Sequence, residues 1–421
     1  MSEISIIGGC GRTGLRLALH AASKGHHVTC IDFDEERINE IKQGSLPFTE
    51  AGAEVYLEST LKNKSLKVSS ELTKIRNSEI IIIAIGTPAD SNLNPSLEPI
   101  AGAIFDISEH IKKKQLLIFR STISPESAAR IKTLVEEKTG YKVGKDIYLS
   151  FAPEILAETN NIHDIAVLPQ PIGTYEEESF KHSENFFSTI TKGKISQLTP
   201  EEALLLKLMN NTVSYINSAC ANEFYLISQA HKANYHKMAD SLQGTNKEVP
   251  LQNLHPNPNS SGPGTHKEGW FITSRLPFSD LITSAFKINE SMPQQIANIL
   301  ENYKVKKIVI LGMTNKANSD DTSSSLSYKI RKILLNKNYE VYSYDPYLPE
   351  YSDYSVLKKA DAVILMTPHK EFQNLTKIKS IVNNPQCLYI DLAGVWEETR
   401  NNGNNGILRF ETVKQKVKNK K

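Results

Sequence analysis

A chain of 421 residues exceeds what one hydrophobic core serves and predicts two or three domains. Hydrophobic residues at 39% and charged residues at 23% are ordinary for a soluble globular protein. A formal net charge of +2 removes any charge-driven argument for a nucleic-acid or membrane partner.

The first predicted element is Ile4 to Ile7, an apolar run of strand length broken only by Ser5. Leu15, Leu17, Ala18, Ala21 and Ala22 then make a helical stripe, and Gly25 suits the helix exit. Val28 to Ile31 has the apolar character of a buried parallel strand. Further apolar runs at "IIIIAIG" (Ile80 to Gly86), "LLIF" (Leu116 to Phe119) and "IYLSF" (Ile147 to Phe151), with helical patterns between them, predict a doubly wound α/β domain over residues 1–198. Near Leu198 the pattern changes. Thr199 and Glu202 form a capping box with Pro200 at the first helical position, opening a helical stretch that runs without a breaker to about Ala233. A helix of that length links two domains or packs against a second subunit. Residues 199–303 are therefore expected to be a helical central region through which a homodimer forms. The region holds a polar loop, "NLHPNPNSSGPGTHKEG", and more helix up to about Tyr303. The strand–turn–helix–strand pattern then recurs from Lys306 to Asp345, followed by "DAVILMTP" and "LYIDLAG". Residues 304–421 thus form a second Rossmann-like domain, with a loop dense in Lys, Asn and Asp in place of a glycine turn. The expected fold class is α/β: two Rossmann-like doubly wound domains joined by a long helical central region. The closing "KQKVKNKK" reads as a solvated, frayed end.

Gly9, Gly11 and Gly14 give G-x-G-x-x-G between strand and helix, a spacing that brings a pyrophosphate onto the helix N-terminus. Asp32 ends the second strand near the offset that a ribose contact requires, and its carboxylate repels a 2′-phosphate. NAD rather than NADP is the expected cofactor. Lys207 and Asn211 stand four apart on the long helix, hence on one face; by spacing alone they read as a solvated lysine and a surface asparagine. Glu154 and Glu158, in "APEILAE", are likewise four apart just after a strand, as a solvated helix start would be. Cys10, Cys30, Cys220 and Cys387 are scattered without metal-like spacing and read as free thiols in a reducing compartment. The histidines show no ligand spacing either, so no metal is expected. No apolar run reaches membrane length and no signal peptide precedes the first strand, which makes the cytoplasm the expected location.

Taken in order, several stretches resemble the nucleotide-sugar 6-dehydrogenase family, the UDP-glucose, UDP-N-acetylmannosamine and GDP-mannose group. They are "DFDEERINEIKQGSLPFTEAG", "IGTPAD", "RSTISP", "APEILAE", "KLMNNTVSYINSACANE" and "GMTNKANSDDTSSS", and the likeness runs nearly the whole chain in colinear order. "LHPNPNSSGPGTHKEGWF" resembles the loop of the N-acetylhexosamine members, which ends in an acid, a Pro and Trp-Phe. The resemblance implies oxidation of C6 of a nucleotide sugar in two hydride steps with two NAD, the aldehyde being held on a loop cysteine as thiohemiacetal and then thioester. It implies that Lys207 and Asn211 stabilise the developing oxyanion and hold a water. Glu158 would activate that water, and Thr122 would lie beside the water and the nicotinamide. Glu268 would take the place of the loop aspartate. Thr87 would line the cofactor, and Glu154 and Lys316 would meet the nucleotide sugar together with Lys207.

The chain departs from the family at its nucleophile. Aligning back from Trp270 and Phe271 puts the family's cysteine at Gly264, and none of the four cysteines lies in this loop. Neither thiohemiacetal nor thioester can form there. Ser323 stands where an arginine is usual, and Asn257, Asn259 and Ser260 interrupt the usual Gly-x-Gly-x-Gly-Gly run. Two functions follow. One is an NAD-dependent oxidoreductase on a UDP-hexose or UDP-N-acetylhexosamine that stops at one oxidation or oxidises the aldehyde hydrate directly. The alternative is a catalytically silent homologue that binds NAD or a nucleotide sugar and acts as a binding or regulatory protein.

Overall fold

In the computed structural model, residues 1–88, 96–155, 162–242, 250–260, 265–273, 276, 278–401 and 407–409 are described. The chain divides into two compact units, Met1–Asn211 with Lys267–Pro277, and Thr212–His266 with Phe278–Lys421.

The first unit is built as β1 (Glu3–Ile7), α1 (Arg12–Ser23), β2 (His27–Ile31), α2 (Glu35–Lys42), α3 (Ala53–Lys62), β3 (Leu66–Ser69), β4 (Ile80–Ile83), α4 (Glu98–Ser108), β5 (Leu116–Phe119), α5 (Ser127–Thr139), β6 (Tyr148–Phe151), β7 (Gln170–Gly173), α6 (Glu177–Ile190), β8 (Ile195–Leu198) and the start of α7 (Pro200–Ala230). Its sheet runs β3-β2-β1-β4-β5-β6-β7-β8 and is parallel except where β6 meets β7. The first six strands follow the doubly wound order, which reverses between β1 and β4. The continuous apolar strands are explained by burial on both faces. Ile4, Ile6, Ile80, Ile82, Leu116 and Ile118 enter one core, while Ile7, Ile81, Ile83, Leu117 and Phe119 enter the other. The capping box is formed as expected: Glu202 N donates to Thr199 Oγ1 at 3.2 Å, and Thr199 N donates to Glu202 Oε2 at 2.8 Å. Helix α7 stops at Ala230, three residues short of the expected end, and Lys232 follows with a positive φ of 55°.

The second unit takes the rest of α7 and adds α8 (Tyr235–Asp240), α9 (Thr265–Thr273), α10 (Asp280–Glu301), β9 (Lys307–Leu311), α11 (Leu326–Asn336), β10 (Glu340–Tyr344), β11 (Ala362–Leu365), α12 (Leu375–Val382), β12 (Leu388–Ile390), α13 (Glu397–Asn401) and β13 (Ile407–Arg409), although α9 from Lys267 onward belongs to the first unit. Its sheet runs β10-β9-β11-β12-β13, with only β13 antiparallel. The same alternation recurs on β9, where Ile308 and Ile310 enter one core and Val309 and Leu311 the other. The fold is thus α/β with two Rossmann-like sheets and helices between them in sequence. One stretch differs from expectation. "THKEGWF" is not loop but the body of α9, whose first turn carries Glu268. An acid in that turn suits the positive end of the helix.

Candidate active site

Strands β2, β1, β4, β5 and β6 lie side by side in parallel register, and the glycine turn, Asp32, Thr87, Thr122 and Glu154 each follow one of their carboxyl ends, while Lys207 and Asn211 lie on α7 and Glu268 on α9. After β1 comes the glycine turn. A Cβ on Gly9 would fall 2.7 Å from Cys30 Cα, and one on Gly14 would fall 2.3 Å from Gly8 O, so both positions need the missing side chain. At Gly11 a Cβ would meet only Gly8 O, at 3.4 Å, and would otherwise project into open space. Gly11 is the N-cap of α1 and offers no side-chain cap to its first N–H groups, which leaves a helix N-terminus for a phosphate. Asp32, after β2, is fixed by this same turn. Its Oδ2 accepts from Cys10 N at 3.0 Å, and its Oδ1 accepts from Phe33 N at 2.9 Å and Asp34 N at 3.3 Å. Side-chain-free backbone, an open helix end and a positioned carboxylate are what a dinucleotide requires. The residues present fit NAD.

Further along that sheet edge, Thr87 follows β4 and donates its hydroxyl to Thr122 O at 2.6 Å. Thr122, after β5, accepts from Lys207 Nζ at 2.5 Å. Lys207 and Asn211 are both buried on α7, and Asn211 Nδ2 donates to Glu268 Oε2 at 2.7 Å. The fold therefore brings Thr87, Thr122, Lys207, Asn211 and Glu268 together. Burial holds Lys207 below the ordinary lysine range; Glu268 and Glu154 oppose that depression, and Arg120 and Arg16 add to it. Glu154, after β6, is buried between two guanidiniums: Arg16 Nη2 lies 3.5 Å from its Oε2 and Arg120 Nη2 lies 3.9 Å from its Oε1. Glu158 and Gly264 lie outside the described residues.

Arg16 and Arg120 were not read from sequence as site residues. The one available signal was an arginine between Leu15 and Leu17 in a largely apolar helix, which suggests a buried partner but does not say which.

In the second unit, Lys316 lies half-buried in the loop after β9, its carbonyl accepting the Thr314 hydroxyl at 3.0 Å. That loop is tied at both ends. Asn318 N donates to His369 Nδ1 at 2.9 Å, and Asp345 Oδ2 accepts from Met313 N at 2.7 Å, Thr314 N at 3.2 Å and His369 Nε2 at 3.0 Å. Asn259, one of the departures noted in the sequence, is 2% exposed. It donates to Thr314 O at 2.8 Å and Thr367 Oγ1 at 2.9 Å, and accepts from Leu326 N, the first residue of α11, at 2.7 Å.

A dinucleotide grip, with a buried ammonium beyond it that can face an alcohol oxygen, defines the first unit as that of an NAD-dependent oxidoreductase. Residues 2–191 match the NAD binding domain of the UDP-glucose/GDP-mannose dehydrogenase family, and residues 309–398 match its UDP binding domain. The UDP-N-acetyl-D-mannosamine dehydrogenase of Pyrococcus horikoshii is 30% identical over 385 residues, covering 87% of this chain and 90% of that protein. The enzyme of the same name from Methanococcus vannielii is 29% identical over 392 residues, covering 90% and 88%. The solved Pyrococcus horikoshii structure superposes with a TM-score of 0.82 over 90% of this chain and 92% of that one, at 30% identity. The chain belongs to the UDP-glucose/GDP-mannose dehydrogenase family, and is an NAD-dependent oxidoreductase of the nucleotide-sugar dehydrogenase type. Among the described residues, no helix is long and apolar enough to cross a membrane.

Proposed function

We propose that this protein oxidises C6 of a UDP-N-acetylhexosamine or UDP-hexose with NAD, and that replacement of the family's cysteine by Gly264 stops most turnovers at the aldehyde. The observation that carries the oxidation is the buried Lys207 ammonium, held by the Thr122 hydroxyl at 2.5 Å, with Asn211 buried one turn further along α7. NAD, when bound, accepts the hydride from the C6–H bond. As that bond breaks, the C6 oxygen gains alkoxide character, and Lys207 and Asn211 donate to it. The hydroxyl proton leaves with the oxidation, so each step yields one aldehyde or acid, one NADH and one proton. Glu158 is assigned to hydrating the aldehyde, which allows a slow second oxidation of the hydrate without a thioester. Lys316 is assigned to the nucleotide sugar. The acetamido-sugar class is supported by the names of the relatives above, and by the loop running up to Trp270 and Phe271.

None of the four thiols is poised to replace the missing nucleophile. Burial pushes Cys10 and Cys387 up to about 12, and raises Cys30 and Cys220 above the ordinary thiol value. A homodimer through α7 belongs to the same reading. Leu206, Met209, Val213, Phe224 and Ile227 recur at helical-stripe spacing and are each 41–54% exposed, as a helix awaiting a second copy would be.

The test is NADH stoichiometry and product mass spectrometry over a panel of UDP-hexoses and UDP-N-acetylhexosamines, with a hydrazine present to trap aldehyde. About one NADH per sugar and a trapped C6 aldehyde are expected. Two NADH per sugar, efficient acid release and no trapped aldehyde would overturn the single-oxidation reading. No NADH from any sugar of the panel would overturn the oxidation itself.

A further inference from the structure

The site holds more charge than the oxidation described above uses. Three buried cations (Arg16, Arg120 and Lys207) face two buried carboxylates, Glu154 and Glu268. A buried ammonium ordinarily takes a carboxylate partner. Lys207 does not: among the described residues its one hydrogen-bond acceptor is the neutral Thr122 hydroxyl. Both carboxylates near it are engaged elsewhere, Glu268 by Asn211 and Glu154 by the two arginines. The arginines are themselves anchored. Arg120 Nη1 donates to Ala152 O at 2.9 Å and to Gln170 Oε1 at 2.7 Å, and Arg16 Nε donates to Arg12 O at 3.2 Å.

We propose that Arg16 is a positioning residue of this oxidation: with Arg120 it clamps Glu154 away from Lys207, and so leaves the ammonium's donors for the alkoxide oxygen. The clamp acts through charge. A carboxylate released from Arg16 would turn to Lys207, which among the described residues has no counter-ion in contact. The ammonium would then be occupied before substrate arrives, and one interaction that should strengthen only in the transition state would already be satisfied in the free protein. Among the described residues, the charged groups acting on Lys207 are Glu268 on α9, Glu154 after β6, Arg120 after β5 and Arg16 on α1; Thr122 is its neutral partner, and Asn211 holds Glu268. Within that set, losing Arg16 removes a positive charge and frees a negative one. Both changes favour the protonated lysine.

This rests on the oxidoreductase reading, and its test has an arm that does not. Competitive acetylation of the NAD-free protein across a pH series, read by mass spectrometry at Lys207 against an exposed lysine, reports where the amine loses its proton. Arg16→Met should move that midpoint to higher pH by about one unit, Arg16→Lys should leave it in place, and Glu154→Gln should move it to lower pH. In turnover, Arg16→Met should lower kcat by about tenfold with KM for NAD unchanged, as one charge interaction of this size corresponds to about one pKa unit. Adding Glu154→Gln to Arg16→Met should recover most of that loss, because the released carboxylate is gone and Glu268 stays engaged by Asn211. A folded Arg16→Met with an unmoved midpoint overturns the proposal, as does a double variant no faster than the single. If Arg16→Met does not fold, Glu154→Gln decides alone, and an unmoved or raised midpoint overturns it. A protein that oxidises no nucleotide sugar would overturn the functional reading while the acetylation series still decides the role of Arg16.

Discussion

Replacing Lys207 by methionine isolates the chemical step from cofactor binding. The lysine is 7% exposed, its Nζ touches Thr122 Oγ1 at 2.5 Å, and among the described residues no carboxylate stands in ion-pair contact with it. The residues assigned to NAD, Gly9, Gly11, Gly14 and Asp32, are a separate set after β1 and β2. Loss of one donor aimed at a developing oxyanion costs on the order of 3 kcal/mol, or about a hundredfold in kcat. NAD affinity should stay within about twofold, well under the factor of ten that 1.4 kcal/mol represents. Stability should not fall, because methionine matches the volume without burying an ammonium. The pH dependence has a defined sign. Burial lowers the folded-state pKa of Lys207, so between that value and the ordinary lysine range the unfolded chain holds a proton that the folded chain has released. Stability of the unaltered protein should therefore rise with pH across that window, and below it the buried charge weakens the fold. Lys207→Met should abolish this rise. Stopped-flow NADH formation, NAD titration by fluorescence and urea unfolding at three alkaline pH values give all three readouts. A variant with full kcat, or one whose kcat falls only in step with its NAD affinity, would show that the ammonium does not face the reacting oxygen.

Other expectations test separate parts of the molecule. Asp32→Ala should narrow the preference for NAD over NADP in binding titrations, and equal affinity of the unaltered protein for the two would contradict the ribose assignment. Asn259→Ala leaves Thr314 O, Thr367 Oγ1 and Leu326 N without their amide partner, so urea unfolding should report a loss of about 2–4 kcal/mol; a loss under about 0.5 kcal/mol would mean that water replaces the side chain. Val213→Glu places a charge in the exposed stripe of α7, where Val213 is 54% exposed, and should yield a monomer by light scattering with the fold retained; a monomeric unaltered protein at micromolar concentration would remove the dimer.

What could be read from sequence depended on whether a residue's surroundings were local. The central strands of the first unit were legible because Ile80–Ile83 and Leu116–Phe119 are buried on both faces and so are continuously apolar, and Ile4–Ile7 is broken only by the buried Ser5. Strand β8, with no fully buried residue, sits at the sheet edge, and β7 contains Gln170 and Pro171; neither shows such a run. Helix α9 was missed because the glycines and proline before it read as loop throughout. The same division runs through the site. The Gly9–Gly14 turn and Asp32 belong to one strand–helix–strand unit, so their spacing carries their meaning. Lys207 and Asn211 share a helix face, but spacing cannot separate that from a solvated pair, and Thr122, 85 residues away, became a partner only through the fold. Arg16 and Glu154 are 138 residues apart, and nothing in either's neighbourhood announces the other. That pairing bears on how far the chain has diverged. A homologue that only bound its ligand would have no use for a buried lysine kept clear of two buried carboxylates, and such an arrangement is costly to hold unless a negative charge arrives to meet it. Gly264 stands where the resemblance expects the second step's nucleophile. Lys207 beside Thr122 is buried in the first unit, and that asymmetry is the physical basis on which a one-oxidation enzyme is proposed.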